Sequence, residues 1–322
     1  MWSLNEDKKP SSAIEENGNP VSEKKLQIVD LDSKSRPYAI MINNISIART
    51  YQSGLQDAYI VYEMIVEGGI TRMMALFKDV DTARIGSIRS SRHYFLDYAL
   101  ENDAIYVHHG QSPQALADFS TLGIDRIEVA PGSTGWRDKD ILNKGVASEH
   151  TLFTSIEMLE KGLGNKRTET NKDLLLNYSV DSVNYDEIDD VKDATNVKIA
   201  YTSSNVIGYT YDAENKVYLR DVNGKKHTDY VSKKQYTVKN IITYQVKNST
   251  ISGDNKGRQE FDNIGEGTGY LITEGKAIPI KWSKSSRSSQ TKYTYLNGEE
   301  IVVNDGNTFI QIQPKGQKLT IE

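Results

Sequence analysis

The stretch Tyr59-Ile-Val-Tyr-Glu-Met-Ile-Val-Glu-Gly-Gly-Ile-Thr-Arg-Met-Met-Ala-Leu-Phe77 decides how this chain is read. Two apolar runs, Tyr59–Val66 and Ile70–Phe77, flank Gly68-Gly69. A Gly-Gly pair takes positive φ without steric cost, so the stretch predicts a β-hairpin. Upstream, Tyr38–Ile42 is a short apolar run after Pro37, as a strand would be, and Gln52–Ala58 has room for one or two helical turns. Downstream, Ser90 or Ser91 can cap a helix through Leu100, with Tyr94, Phe95, Tyr98 and Ala99 at helical spacing. Ala104–Val107 reads as a buried strand. Ser112-Pro113 opens a helix that Gly123 ends, Ile124–Val129 reads as a strand, and Thr151–Lys161 as an amphipathic helix. Strands alternate with helices, and the hairpin makes their sheet mixed.

From Val197 the pattern changes. Tyr, Thr and Val dominate, and Asn223-Gly224, Asn297-Gly298 and Asp305-Gly306 mark turns. Nine short strands are expected, from Val197–Thr202 to Thr308–Gln313, with no helical period. The fold class is therefore α+β: an N-terminal α/β domain with a mixed sheet over residues 36–165, then a β-rich C-terminal domain, barrel or sandwich, over 197–322. Residues 1–35 read as a flexible tether and residues 166–196 as an acidic linker.

The 322 residues contain no cysteine, which rules out disulfides, thiolate catalysis, Cys-based zinc sites and Fe–S clusters. The net charge is −5. Ten acids and five bases between Glu157 and Asn196 account for all of it, so the charge belongs to one segment and leaves the rest of the chain balanced. Nothing suggests nucleic acid, which calls for a basic face. No apolar run is long enough to span a membrane.

The blocks Arg36–Asn44, Glu63–Gly69, Arg84–Arg92, Val107-His-His-Gly110 and His150–Thr154, with Thr308–Pro314 near the end, resemble the YerB-like lipoproteins of Gram-positive bacteria. The resemblance implies a two-domain, extracytoplasmic protein whose lipid on an N-terminal cysteine holds it to the membrane. This chain has no such cysteine, so the implied anchor lies outside it. The family brings no established activity.

Chemistry-bearing residues concentrate in the N-terminal half. Arg84, Ser87, Arg89 and Arg92 precede a predicted helix whose free N–H groups and dipole favour an anion. His108 and His109 follow a strand, where sites in α/β sheets form. Together these six residues could line one anion-binding cleft. The competing reading gives the arginines surface ion pairs, with Asp79, Asp81 and Asp97 as partners, and makes the histidines packing residues. Trp136 and Arg137, in the Gly-rich loop from Pro131, and His150 are secondary candidates. Trp136 could stack on a sugar ring or cover the core edge. Glu63 and Glu67 share a strand face, as an acid–base pair or as polar strand ends facing solvent. Gly265-x-Gly-x-Gly269 reads as a turn or bulge, because a phosphate loop would open a helix. No metal-ligand spacing, cofactor motif or nucleophile elbow is present. The leading expectation is a non-catalytic envelope lipoprotein that binds an anionic ligand or a protein partner. An enzyme acting on phosphorylated or polysaccharide envelope material is the alternative, and a purely structural adaptor the second.

Overall fold

A computed structural model describes residues 25–322. The hairpin forms as expected: strands Ile60–Ile65 and Thr71–Phe77 pair antiparallel around a tight turn in which Gly68 and Gly69 take φ of 69° and 74°. Strand Tyr38–Asn43 lies antiparallel to Thr71–Phe77 and parallel to Ile105–His108, which is parallel in turn to Arg126–Glu128. The sheet is therefore mixed.

On its other side the hairpin meets a strand from the far end of the chain. Thr308–Pro314 runs parallel to Ile60–Ile65 and, across its opposite edge, parallel to Asn240–Val246. Strands Gly265–Thr273 and Lys276–Lys284 continue the same sheet, which reaches 11 strands. The two-domain α+β protein thus shares one sheet between its halves. A second sheet of six strands, centred on Asn196–Thr202, Asn205–Asp212 and Val217–Val222, packs over the junction. Strands Tyr38–Asn43, Ile60–Ile65, Thr71–Phe77 and Thr308–Pro314 are buried along their whole length, because both faces are covered.

Successive residues of a strand point to opposite faces, and Tyr62 and Glu63 show what this does. The Tyr62 hydroxyl donates to Glu101 (2.6 Å), which also accepts from Lys284 and Thr291. This links helix His93–Glu101 to the C-terminal half. On the other face, Glu63 accepts from Asn44, Thr71, Gln311 and Arg220. Arg220 also donates to His227 and Tyr209, and His227 bonds Gln52. Neither network leaves its buried charge unpaired, as burial demands. Glu63 is therefore neither a solvent-facing strand end nor half of an acid pair with Glu67.

Several expectations shift. The helix expected from Ser90 or Ser91 starts at His93 with Arg92 as its N-cap, and no side chain caps it. Ser91 instead accepts from the Tyr106 hydroxyl. Thr151–Lys161 divides into strand Leu152–Thr154 and helix Ile156–Lys161, because Ser155 caps at Met158. Gly265–Gly269 is the start of a strand, and the missing side chain of Gly267 makes room for the Trp282 indole. Residues 25–35 pack against the fold: Val29 is buried, and the N–H groups of Gln27 and Ile28 donate to Asp305. The rest of the expected tether, residues 1–24, lies outside the described residues. The acidic segment is pinned through buried Leu176, Tyr185 and Ala194 while all ten of its acids stay exposed. Among the described residues no helix is long and apolar enough to cross a membrane.

Candidate functional site

The carboxyl ends of the three parallel strands in the N-terminal half open at one edge, near Asn43, His108 and Glu128. The Arg84–Arg92 segment crosses over these ends. Its anchors are backbone bonds: Asn43 N–H to Ser87 C=O, Arg89 N–H to Met41 C=O, and His109 N–H to Arg89 C=O, at 2.8, 2.9 and 3.1 Å. This crossing places Arg89 beside His109. Strand Trp136–Arg137 pairs with Leu152–Thr154 and brings Arg137 and the Ser148–His150 turn to the same place.

The result is a cluster of Asn43, Arg89, His109, Arg137, Glu149 and His150. Arg89 donates to Glu149 at 3.0 Å, and Glu149 is more than half exposed. His150 lies 3.5 Å from the same carboxylate through Nε2, while its Nδ1 accepts from the Asn43 amide at 2.9 Å. Burial lowers the His150 pKa, with Glu149 opposing and Arg89 reinforcing the effect. Val129 C=O accepts from His109 Nδ1 at 2.8 Å, so Nε2 faces Arg137 as an acceptor at 3.4 Å. Arg137 also donates to the Ser148 carbonyl. Among the described residues no carboxylate reaches Arg137 to within ion-pair distance. Of two half-buried guanidinium groups, one therefore has a single, solvent-washed carboxylate partner and the other has none among the described residues.

The other predicted residues lie apart from this cluster. Arg84 donates to Ser53 and, at 2.8 Å, to Asp138, and it stacks 3.7 Å over Phe153. Arg92 forks onto both oxygens of Glu67. Burial alone would raise the Glu67 pKa, but Arg92 and Arg72 hold it below the usual range. The helix start that was to welcome an anion therefore already has one from the chain itself. The arginine partners are Asp138, Glu149 and Glu67, and not Asp79, Asp81 or Asp97. His108 is fully buried between Tyr106 and Phe119; its Nδ1 donates to Gly110 C=O and its Nε2 accepts from Arg126. Burial pushes its pKa down to about 4. The Ser87 hydroxyl is buried and has no hydrogen-bond partner among the described residues. Trp136 is half-buried against Phe153, covering a small core with Ile141 and Val146.

Sequence reasoning missed Asn43, Arg72 and Glu149. Arg72 is buried, donates to Ser90 C=O, and has its pKa lowered to about 9 by burial and by Arg92 and Arg89 nearby. An arginine inside the apolar run Thr71–Phe77 was the signal. Among the described residues no three His, Asp or Glu side chains converge as a metal ion would require.

A two-domain α+β protein with a basic cluster at the ends of its parallel strands is the class these observations define. The chain belongs to the family described as "Protein of unknown function (DUF3048)": the N-terminal domain of that family matches residues 26–169 and the C-terminal domain residues 197–310. It is 29% identical over 279 residues to "Putative lipoprotein YerB" of Bacillus subtilis (strain 168), covering 85% of this chain and 77% of that one. The crystal structure of the YerB protein from Bacillus subtilis is similar in fold, with a TM-score of 0.74, 27% identity, and coverage of 89% of this chain and 94% of that one.

Proposed function

We propose that the protein is a non-catalytic envelope lipoprotein that binds an anionic ligand at the Arg89–Arg137 cluster on the outer side of the membrane. The carrying observation is the surplus of positive charge there: two positioned guanidinium groups, one exposed carboxylate, and histidine nitrogens that accept from arginine or asparagine. Guanidinium forks of this kind favour carboxylate or phosphate. The relative's name, a lipoprotein, supports the envelope setting and the lipid anchor. The enzymatic alternative draws no comparable support, because His108 is sealed in the core and His109 Nε2 is taken by Arg137.

Calorimetric titration with inorganic phosphate and with glycerol phosphate tests this reading. Binding should weaken by about tenfold or more in Arg89→Gln and in Arg137→Gln, since each removes a charged hydrogen-bond donor. Absent binding, or binding by either variant as tight as that of the wild type, would overturn it.

A further inference from the structure

In a chain of net charge −5, one hairpin collects positive charge. Residues 225–234 read Lys-Lys-His-Thr-Asp-Tyr-Val-Ser-Lys-Lys. Lys225, Lys226, Lys233 and Lys234 are all exposed, and Lys144 from the N-terminal half joins them. None of these five lysines makes an ion pair among the described residues. The acid within the hairpin, Asp229, is buried and fully engaged: it accepts from the N–H groups of Gly54, Val231 and Ser232 and from the Tyr236 hydroxyl. Asp221, across the ladder from Lys226, bonds the Gly224 N–H.

The tip is rigid and mixed in character. Tyr230 donates its N–H to Gln52 C=O and meets the Tyr51 ring edge-on at 5.3 Å. Lys233 sits 3.9 Å over the Tyr230 ring, and Lys144 lies within 6 Å of both rings. At the apex Val231 is 62% exposed, and Ile47, four residues before Tyr51, is 44% exposed. Lys144, Lys233, Tyr51 and Tyr230 thus gather at the hairpin tip beside exposed Val231, with residues from both halves.

We infer that this lobe rests on an anionic lipid bilayer. The lysines meet phosphate headgroups, the tyrosines sit at the polar–apolar boundary, and Val231 reaches into the acyl region. A soluble polyanion would match the lysines equally well but would leave the exposed Val231 side chain at the apex without a partner. The Asp229 turn fixes the tip beforehand, so contact costs little ordering entropy.

The test is co-sedimentation of the soluble chain with vesicles of phosphatidylcholine and with vesicles of equal parts phosphatidylcholine and phosphatidylglycerol. Binding is expected to the mixed vesicles alone and should fall as salt rises. Each of Lys233→Ala and Lys234→Ala should weaken it about fivefold, and Val231→Ser should weaken it without changing the salt dependence. The Arg89→Gln, Arg137→Gln double variant should bind vesicles like wild type, which separates this surface from the anion cluster. All these positions are exposed or half-buried, and matching thermal unfolding curves confirm that the variants fold. No binding to the mixed vesicles overturns the proposal. So does binding that Val231→Ser leaves untouched and that inorganic polyphosphate abolishes, because the partner is then a soluble polyanion.

Discussion

Arg220 and Glu63 face each other across the joint between the two sheets, 2.8 Å apart, and neither side chain has any exposed surface. One comes from the strand that opens the N-terminal hairpin, the other from the second sheet. Each compensates the charge of the other in a dry interior.

Breaking that pair should therefore be costly. Glu63→Gln or Arg220→Met alone should lower stability by roughly 3–5 kcal/mol, because the remaining charge stays buried without its partner. The double variant Glu63→Gln, Arg220→Met should lose less than the sum, with a coupling of about 2 kcal/mol. Urea denaturation of the four proteins measures this, and additive losses would contradict it.

Stability should fall on mild acidification. Burial lowers the pKa of His108 to about 4, and burial together with Arg220 and Arg49 lowers that of His227 well below its ordinary value. The folded protein keeps these rings neutral while the unfolded chain takes up protons below a pKa of about 6.5, so unfolding is favoured as pH drops through that range. His108 alone contributes roughly 3 kcal/mol of loss between the two pKa values. Denaturation midpoints from about pH 7 to about pH 4.5 should show the decline, and His108→Gln should flatten it.

Gly54 has φ of 86°, and a Cβ there would lie 2.5 Å from the Arg84 carbonyl oxygen. Gly54→Ala should cost roughly 2 kcal/mol or more through backbone strain and displacement of the Arg84 segment. Thermal unfolding would show it. A midpoint equal to wild type would mean that the backbone relaxes freely.

Residues 26–169 expressed alone should not give a stable monomer. Ile60–Ile65 would lose Thr308–Pro314 and become an open, mostly apolar edge, with Glu63 stripped of Arg220 and Gln311. Size-exclusion chromatography should show aggregates or dimers, and a well-folded monomer would refute this.

How far the sequence could be read follows from the distances involved. The hairpin, the Ser112-Pro113 helix start and the strand series beyond Val197 depend on neighbouring residues, and each was legible. Thr308–Pro314 was recognisable as a strand but not as the partner of Ile60–Ile65, because parallel pairing leaves no local signature in strands buried on both faces. At the candidate site, Arg89, His109, Arg137 and His150 were all singled out, and the structure draws them together. Their grouping depends on Glu149 and Asn43, which contribute only through tertiary placement. Arg84, Arg92 and His108 share the same sequence character, yet Asp138, Glu67 and Arg126 engage them elsewhere. Charge and spacing identify candidates; carboxylate partners far along the chain decide which remain available.

The position of Thr308–Pro314 also sets a schedule. The strand that completes the middle of the large sheet follows the hairpin edge near residue 60 by some 250 residues, so that edge must wait for all of them before it finds its neighbour. Such distant closure makes for slow folding. It also means that the large sheet becomes continuous only once Thr308–Pro314 has arrived.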